Sequence, residues 1–213
     1  MTITEQIPER AIALNVSSLT IERAHKIVVS NFNLKADKGE IVQIIGKNGS
    51  GKSSILRTIS GLAPIFEGSV KWLGLPIQAQ DSYVEKVNYL GHLSGLSREL
   101  TGLENLVFYA SISRSKKPAL SVIEALSVFD ACNLTSKFIK YLSAGEKQKL
   151  VLARMLMFNS PLWLLDEPFS SLDASTQRIL EDRMDEHVSK GGTILITSHQ
   201  PFKTVHPLKS VII

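Results

Sequence analysis

The sequence predicts an α/β protein built on a parallel core sheet, and three observations point there. Short apolar runs rich in Ile, Val and Leu alternate with stretches of helical periodicity, the pattern of buried strands joined by crossover helices. One such run passes directly into the glycine-rich stretch Gly46 to Ser53 and then into a helical pattern. Another ends in two carboxylates, Asp166 and Glu167, at the carboxyl edge of a strand, where open α/β sheets take their ligands.

The elements follow in order. Ile41 to Ile45 reads as a strand and Ser53 to Ser60 as the helix after it. Val87 to Leu90, Leu162 to Leu165 and Thr193 to Thr197 supply further core strands. Leu103 to Ser111, Ser121 to Phe129 and Glu146 to Met157 read as helices, and residues 92–140 as a helical insert. Ile12 to Lys38, with Gly68 to Leu73, alternates apolar and polar residues and predicts an antiparallel β layer beside the parallel core.

Composition narrows the class. The chain has 213 residues, 44% hydrophobic and 21% charged, which fits one large domain or a domain carrying an insert and excludes a disordered or collagen-like chain. Cys132 stands alone with no zinc-spaced Cys/His cluster, so a reducing compartment is expected. Met1 to Val16 carries Glu5, Glu9 and Arg10 and lacks a signal-peptide core, so export is not expected. The longest apolar stretches fall far short of the ~18 residues that cross a bilayer. Net charge is +4, but the 24 Lys and Arg are scattered without interleaved aromatics. This suits anionic ligands or a membrane surface, and no nucleic-acid partner is expected.

Gly46, Lys47, Asn48, Gly49, Ser50, Gly51, Lys52 and Ser53 match G-x-x-x-x-G-K-[ST] between a strand and a helix, with Ser54 next in the first helical turn. Glycines let the backbone wrap closely and aim N–H groups at phosphate oxygens, and the helix N-terminus adds positive potential. Lys52 would reach the β and γ phosphates, and the Ser53 hydroxyl would bind Mg²⁺. In a nucleotide-hydrolysing protein Asp166 orders the Mg²⁺ shell, and Glu167 orients or deprotonates the attacking water. Taken alone, Asp166, Glu167 and Pro168 can equally be a strand end capped by a turn.

Downstream of the phosphate loop come Leu142, Ser143, Ala144, Gly145 and Glu146, continued by Gln148, Lys149, Leu152, Ala153 and Arg154. Then follow the acidic strand, the turn Ser171, Leu172 and Asp173, and a strand ending in Ser198 and His199. In these elements and their order the chain resembles the ABC-type ATPases over almost its whole length. Leu142 to Glu146 is similar to the family's L-S-G-G-Q signature, with Ala and Glu at the third and fifth places. The resemblance implies a P-loop NTPase of ABC type in a single domain over residues 1–213, with the helical subdomain inserted in a RecA-like core. It also implies ATP and Mg²⁺ as ligands. Ser143 and the Gly145 amide would close on ATP held by a second copy, and His199 would sense the γ-phosphate. Each element occurs once, so two cassettes must meet. Residue chemistry alone leaves Ser143 open between a phosphate donor and a helix cap paired with Glu146. His199 alone would pass for a structural residue, and His25, His187 and His206 receive no role.

Two departures stand out. The aromatic that usually stacks on adenine falls near Arg23, and the usual Gln after the third core strand falls at His92, leaving its link to Mg²⁺ open. The second departure is also a clue. Tyr89, Leu90, Gly91 and His92, with Glu99 to Thr101 and Glu104 to Tyr109, resemble the ATP-binding subunits of the haem exporter of bacterial cytochrome c maturation. Pro161 to Phe169 is similar to them too. That resemblance implies an ATPase on the cytoplasmic face of the inner membrane, or in mitochondria retaining a bacterial system, working with integral membrane subunits that handle haem. No residue reads as a haem ligand. Another ABC exporter, a soluble ABC ATPase and a P-loop kinase remain as alternatives; the last leaves the signature unexplained.

Overall fold

The computed structural model describes residues 12–113 and 119–213. The segment read above for export, up to residue 11, and residues 114–118 of the helical insert lie outside the described residues.

Two sheets carry the fold. β1 (Ile12–Arg23), β2 (Lys26–Asp37), β4 (Glu67–Trp72) and the short β5 (Leu75–Pro76) form an antiparallel sheet in the order β2-β1-β4-β5. The alternation seen in the sequence becomes burial here: Leu14, Val16, Leu19, Ile21, Leu34 and Val70 turn inward. The second sheet is parallel, in the order β6-β7-β8-β3-β9, from β6 (Val87–Leu90), β7 (Leu162–Asp166), β8 (Thr193–Thr197), β3 (Ile41–Ile45) and β9 (Leu208–Ile212). All five residues of β7 and of β8 are buried, as expected for strands covered on both faces.

The parallel sheet divides two cores. Val42, Ile44, Leu162, Leu164 and Leu195 face the antiparallel sheet and α1 (Lys52–Ile59). Ile41, Trp163, Leu165, Ile194 and Ile196 face the other way, toward α4 (Ala144–Leu156) and α5 (Ala174–Ser189). The segment between β6 and β7 carries α2 (Gly102–Ile112) and α3 (Val122–Val128) ahead of α4. Each of these helices opens on a capping box, with Thr101 and Glu104, Ser121 and Glu124, and Ser143 and Glu146 exchanging side-chain and amide hydrogen bonds. Those six residues explain why three helices start where they do.

Every strand expected for the core is present, with β7 extending to Asp166. α5 and β9 were not among the expected elements. Among the described residues no helix is long and apolar enough to cross a membrane.

Candidate functional site

The carboxyl ends of β3, β8 and β7 lie side by side, and each leads into a segment singled out in the sequence. β3 opens into the phosphate loop, whose Lys47, Asn48, Gly49 and Ser53 are exposed to solvent. The Lys52 ammonium donates to Gly46 O at 2.8 Å and to Lys47 O at 3.1 Å, so its charge is held at the mouth of the loop. Gly51 caps α1 with φ 101°, and a Cβ there would lie 2.4 Å from Val29 Cγ2 on β2. Only glycine fits between the loop and the antiparallel sheet. The Ser50 hydroxyl is buried without a hydrogen-bond partner, and Ser54 is buried in the first turn of α1.

Asp166 is 3% exposed. Its Oδ1 accepts from Thr197 Oγ1 at 2.8 Å, while Oδ2 is buried with no partner. Burial, and then the nearby Asp166 charge, pushes the Tyr89 hydroxyl up to about 12. Glu167 adopts φ 52°, unusual for a residue with a Cβ. Its amide is fixed there by Thr197 O and Thr197 Oγ1, both at 3.1 Å. Glu167 Oε2 accepts from the His199 amide at 3.1 Å, and Oε1 lies 3.5 Å from His199 Nε2 without a hydrogen bond. Each acid therefore presents one buried, unpartnered oxygen, an arrangement that costs free energy unless a ligand completes it.

Thr197 is the residue that sequence reasoning missed. One hydroxyl positions both acids, and the signal for it in the sequence was a hydroxyl residue closing the apolar run Ile194 to Ile196 just ahead of Ser198 and His199. Gln43 adds a second tie, donating to Ser198 O at 3.2 Å and so bracing the turn that carries His199.

The signature lies at the start of α4. Ser143 is the helix N-cap: its oxygen accepts from the Glu146 amide at 3.1 Å, and its own amide donates to Glu146 Oε2 at 2.9 Å. Ser143 and Ala144 are exposed. Gly145 packs so closely on the turn after Glu167 that a Cβ would lie 2.8 Å from Ser171 O. Gln148 donates to Pro168 O at 2.8 Å, and Lys149 lies 3.7 Å from Asp173, the N-cap of α5. The signature and the turn leaving Glu167 are thus fastened together within one chain.

His92 is exposed beyond the end of β6, and among the described residues no cluster of three His, Cys, Asp or Glu could hold a metal by itself. Arg23 is exposed at the tip of the β1–β2 hairpin, paired with Lys26.

A protein-family model described as ABC transporter matches residues 29–170. The chain belongs to the ABC transporter family. The match runs from β2 through the phosphate loop, the signature and both acids. Relatives within that family include the cytochrome c biogenesis ATP-binding export protein CcmA of Vibrio vulnificus, 36% identical over 195 residues, 91% of this chain and 95% of the relative. The protein of the same name from Haemophilus influenzae is 36% identical over 91% of this chain and 92% of its own length. Among solved structures, the ATP-binding subunit of an ABC transporter superposes with a TM-score of 0.76 at 29% identity, covering 88% of this chain and 79% of that one. A dimeric post-hydrolysis ATP-binding cassette bound to ADP and Pi gives 0.73 at 26% identity, covering 88% of each. This ABC chain therefore shares both its fold and its motif-bearing segments with nucleotide-binding subunits.

Proposed function

We propose that this chain is the ATP-hydrolysing subunit of a membrane ABC complex, the haem exporter of cytochrome c biogenesis, and that two copies close head to tail on two ATP molecules. The observation that carries the chemistry is the pair of unpartnered oxygens, Asp166 Oδ2 and Glu167 Oε1, held by Thr197 and His199 two strands from the phosphate-loop strand. Export in cytochrome c biogenesis is supported by the likeness to CcmA over nearly the full length of both chains.

ATP binds with its β and γ phosphates against Lys52 and the amides of residues 46–54. Ser53 and Asp166 would hold Mg²⁺, which, when bound, neutralises charge on the β and γ oxygens. The residues fit such an ion, since Asp166 keeps one lone oxygen free in a buried position. Glu167 Oε1 accepts the proton of the attacking water, and the His199 amide keeps Oε2 from turning away. His199 Nε2 reaches the γ-phosphate of the same nucleotide. Ser143 and the Gly145 amide supply donors to the other copy's γ-phosphate, excluding water at closure. His92 and Arg23 carry no step.

Membrane partners are supported by a groove of about 520 Å³ between the core and α2, where apolar Leu62, Val84, Val87, Ile112 and Phe158 lie beside polar Glu85, Asn88 and Ser160. Leu103, Val107 and Phe108 continue this exposed apolar face along α2. The chain then sits peripherally on the cytoplasmic face of the inner membrane, and haem touches the partners. Affinity purification from native membranes tests this. Integral haem-handling subunits should co-purify, and a chain recovered free of membrane subunits would contradict the proposal.

A further inference from the structure

Glu146 puts a carboxylate in the signature where the family's usual residue is an uncharged Gln, and an anion facing an incoming triphosphate should repel it. The structure pairs this acid with Lys137, whose Nζ lies 3.3 Å from Glu146 Oε1. Lys137 is set there by its backbone. Its amide donates to Leu134 O at 3.2 Å, its carbonyl accepts from the Gly102 amide at 3.0 Å, and the next residue, Phe138, bridges to Thr101. Gly102 leaves no room for adjustment, because a Cβ there would lie 2.4 Å from Leu134 O. Of the other lysines nearby, Lys140 is engaged with Glu99 and Lys149 with Asp173, and Lys147, next to Glu146 along α4, makes no ion pair with it. The Ser143 amide, and then Lys137, hold the Glu146 carboxyl below the usual range, so the acid is ionised at neutral pH. An exposed pair of this kind adds little to folding stability.

We infer that Lys137 is a positioning residue of the composite nucleotide site: it neutralises Glu146 so that the signature of one copy can close on the triphosphate held by the other. This rests on the two-copy reading above. Before closure, water screens Glu146. At closure water leaves, the effective dielectric falls, and an uncompensated carboxylate would repel the γ-phosphate far more strongly. With Lys137 at 3.3 Å the phosphate meets an ion pair in place of a net charge.

The test measures the equilibrium constant for ATP-driven pairing in the Glu167→Gln background, with Lys137→Ala, Glu146→Gln and the double change added to it. Gln at the third helical position preserves the capping box, so Glu146→Gln keeps the start of α4. Lys137→Ala should weaken pairing roughly tenfold and leave ATP affinity at the phosphate loop of the single chain unchanged. The double variant should recover to within about twofold of Glu146→Gln. Added salt should shrink the Lys137→Ala deficit. If Lys137→Ala melts markedly lower than the parent, Lys137→Met, which keeps the aliphatic stem, takes its place. Unimpaired pairing by the lysine variant, or a double variant as weak as Lys137→Ala, overturns the assignment of Lys137 alone. A Glu167→Gln parent that never pairs overturns the two-copy reading itself.

Discussion

Glu167 and His199 are tied through the backbone before their side chains meet: the His199 amide donates to Glu167 Oε2 at 3.1 Å, while His199 Nε2 stops 3.5 Å from Oε1. The acid is held by a hydrogen bond at one oxygen and makes none at the other, which leaves that oxygen available to accept a proton from water. Glu167→Gln keeps the shape and loses the basicity. Hydrolysis should fall by about 10²- to 10⁴-fold with ATP affinity retained, read by phosphate release and by nucleotide titration. Turnover near the parent's would remove Glu167 from the role of base.

Lys52 is the cation at the mouth of the loop, with its ammonium already gathered by Gly46 O and Lys47 O. Lys52→Ala should abolish ATP binding and hydrolysis, because the loop then loses the side-chain cation that neutralises the β and γ phosphates. Isothermal titration with ATP checks this, and normal affinity in the variant would remove the phosphate-loop assignment.

Thr197 is fully buried and serves both acids through one hydroxyl. Thr197→Val keeps the volume but strands Asp166 Oδ1 and leaves the Glu167 amide with one acceptor fewer. Stability should drop by about 1–3 kcal/mol, and kcat should fall while Thr197→Ser recovers both. Denaturant midpoints and ATPase rates read the two effects separately. A valine variant with parental kcat would show that the acids hold their places unaided.

Most of this fold was legible because its signals are local. The phosphate loop, the apolar strands and the cap pairing Ser143 with Glu146 each lie within a few consecutive residues. β9 was not legible, since Leu208–Ile212 is largely exposed and becomes a strand only by pairing with β3, more than 160 residues earlier in the sequence. α5 escaped for a different reason: its charged residues surround a narrow buried row at Thr176, Leu180, Met184 and Val188. In the site, residue types announced Lys52, Asp166 and Glu167. The role of Thr197 and the pairing of Glu146 with Lys137 depend on contacts between distant segments.

His187, for which the sequence suggested no role, stacks on Trp163 with ring centroids 4.0 Å apart and planes 11° from parallel. Burial pushes its pKa down to about 4. Below the unfolded-state value near 6.5 the unfolded chain takes up a proton that the folded chain refuses until about pH 4. Stability from this group is complete above about pH 6.5 and is lost as pH falls toward 4, by about 3 kcal/mol in all. His187→Phe keeps the stack and should flatten that part of the profile. Urea unfolding at pH 5 and pH 7 compares the two proteins; an equal pH dependence would contradict the neutral buried imidazole.

The central claim is that two copies close on ATP through the phosphate loop of one and the signature of the other. The mass of the Glu167→Gln protein in solution with ATP and Mg²⁺, measured by light scattering, tests it most directly. The account predicts that mass doubles from the 23.5 kDa of one chain on adding ATP, and that Ser143→Arg in the same background still binds ATP but stays single. A protein that remains at the mass of one chain with saturating ATP bound, or that pairs equally well with Ser143→Arg, would contradict it.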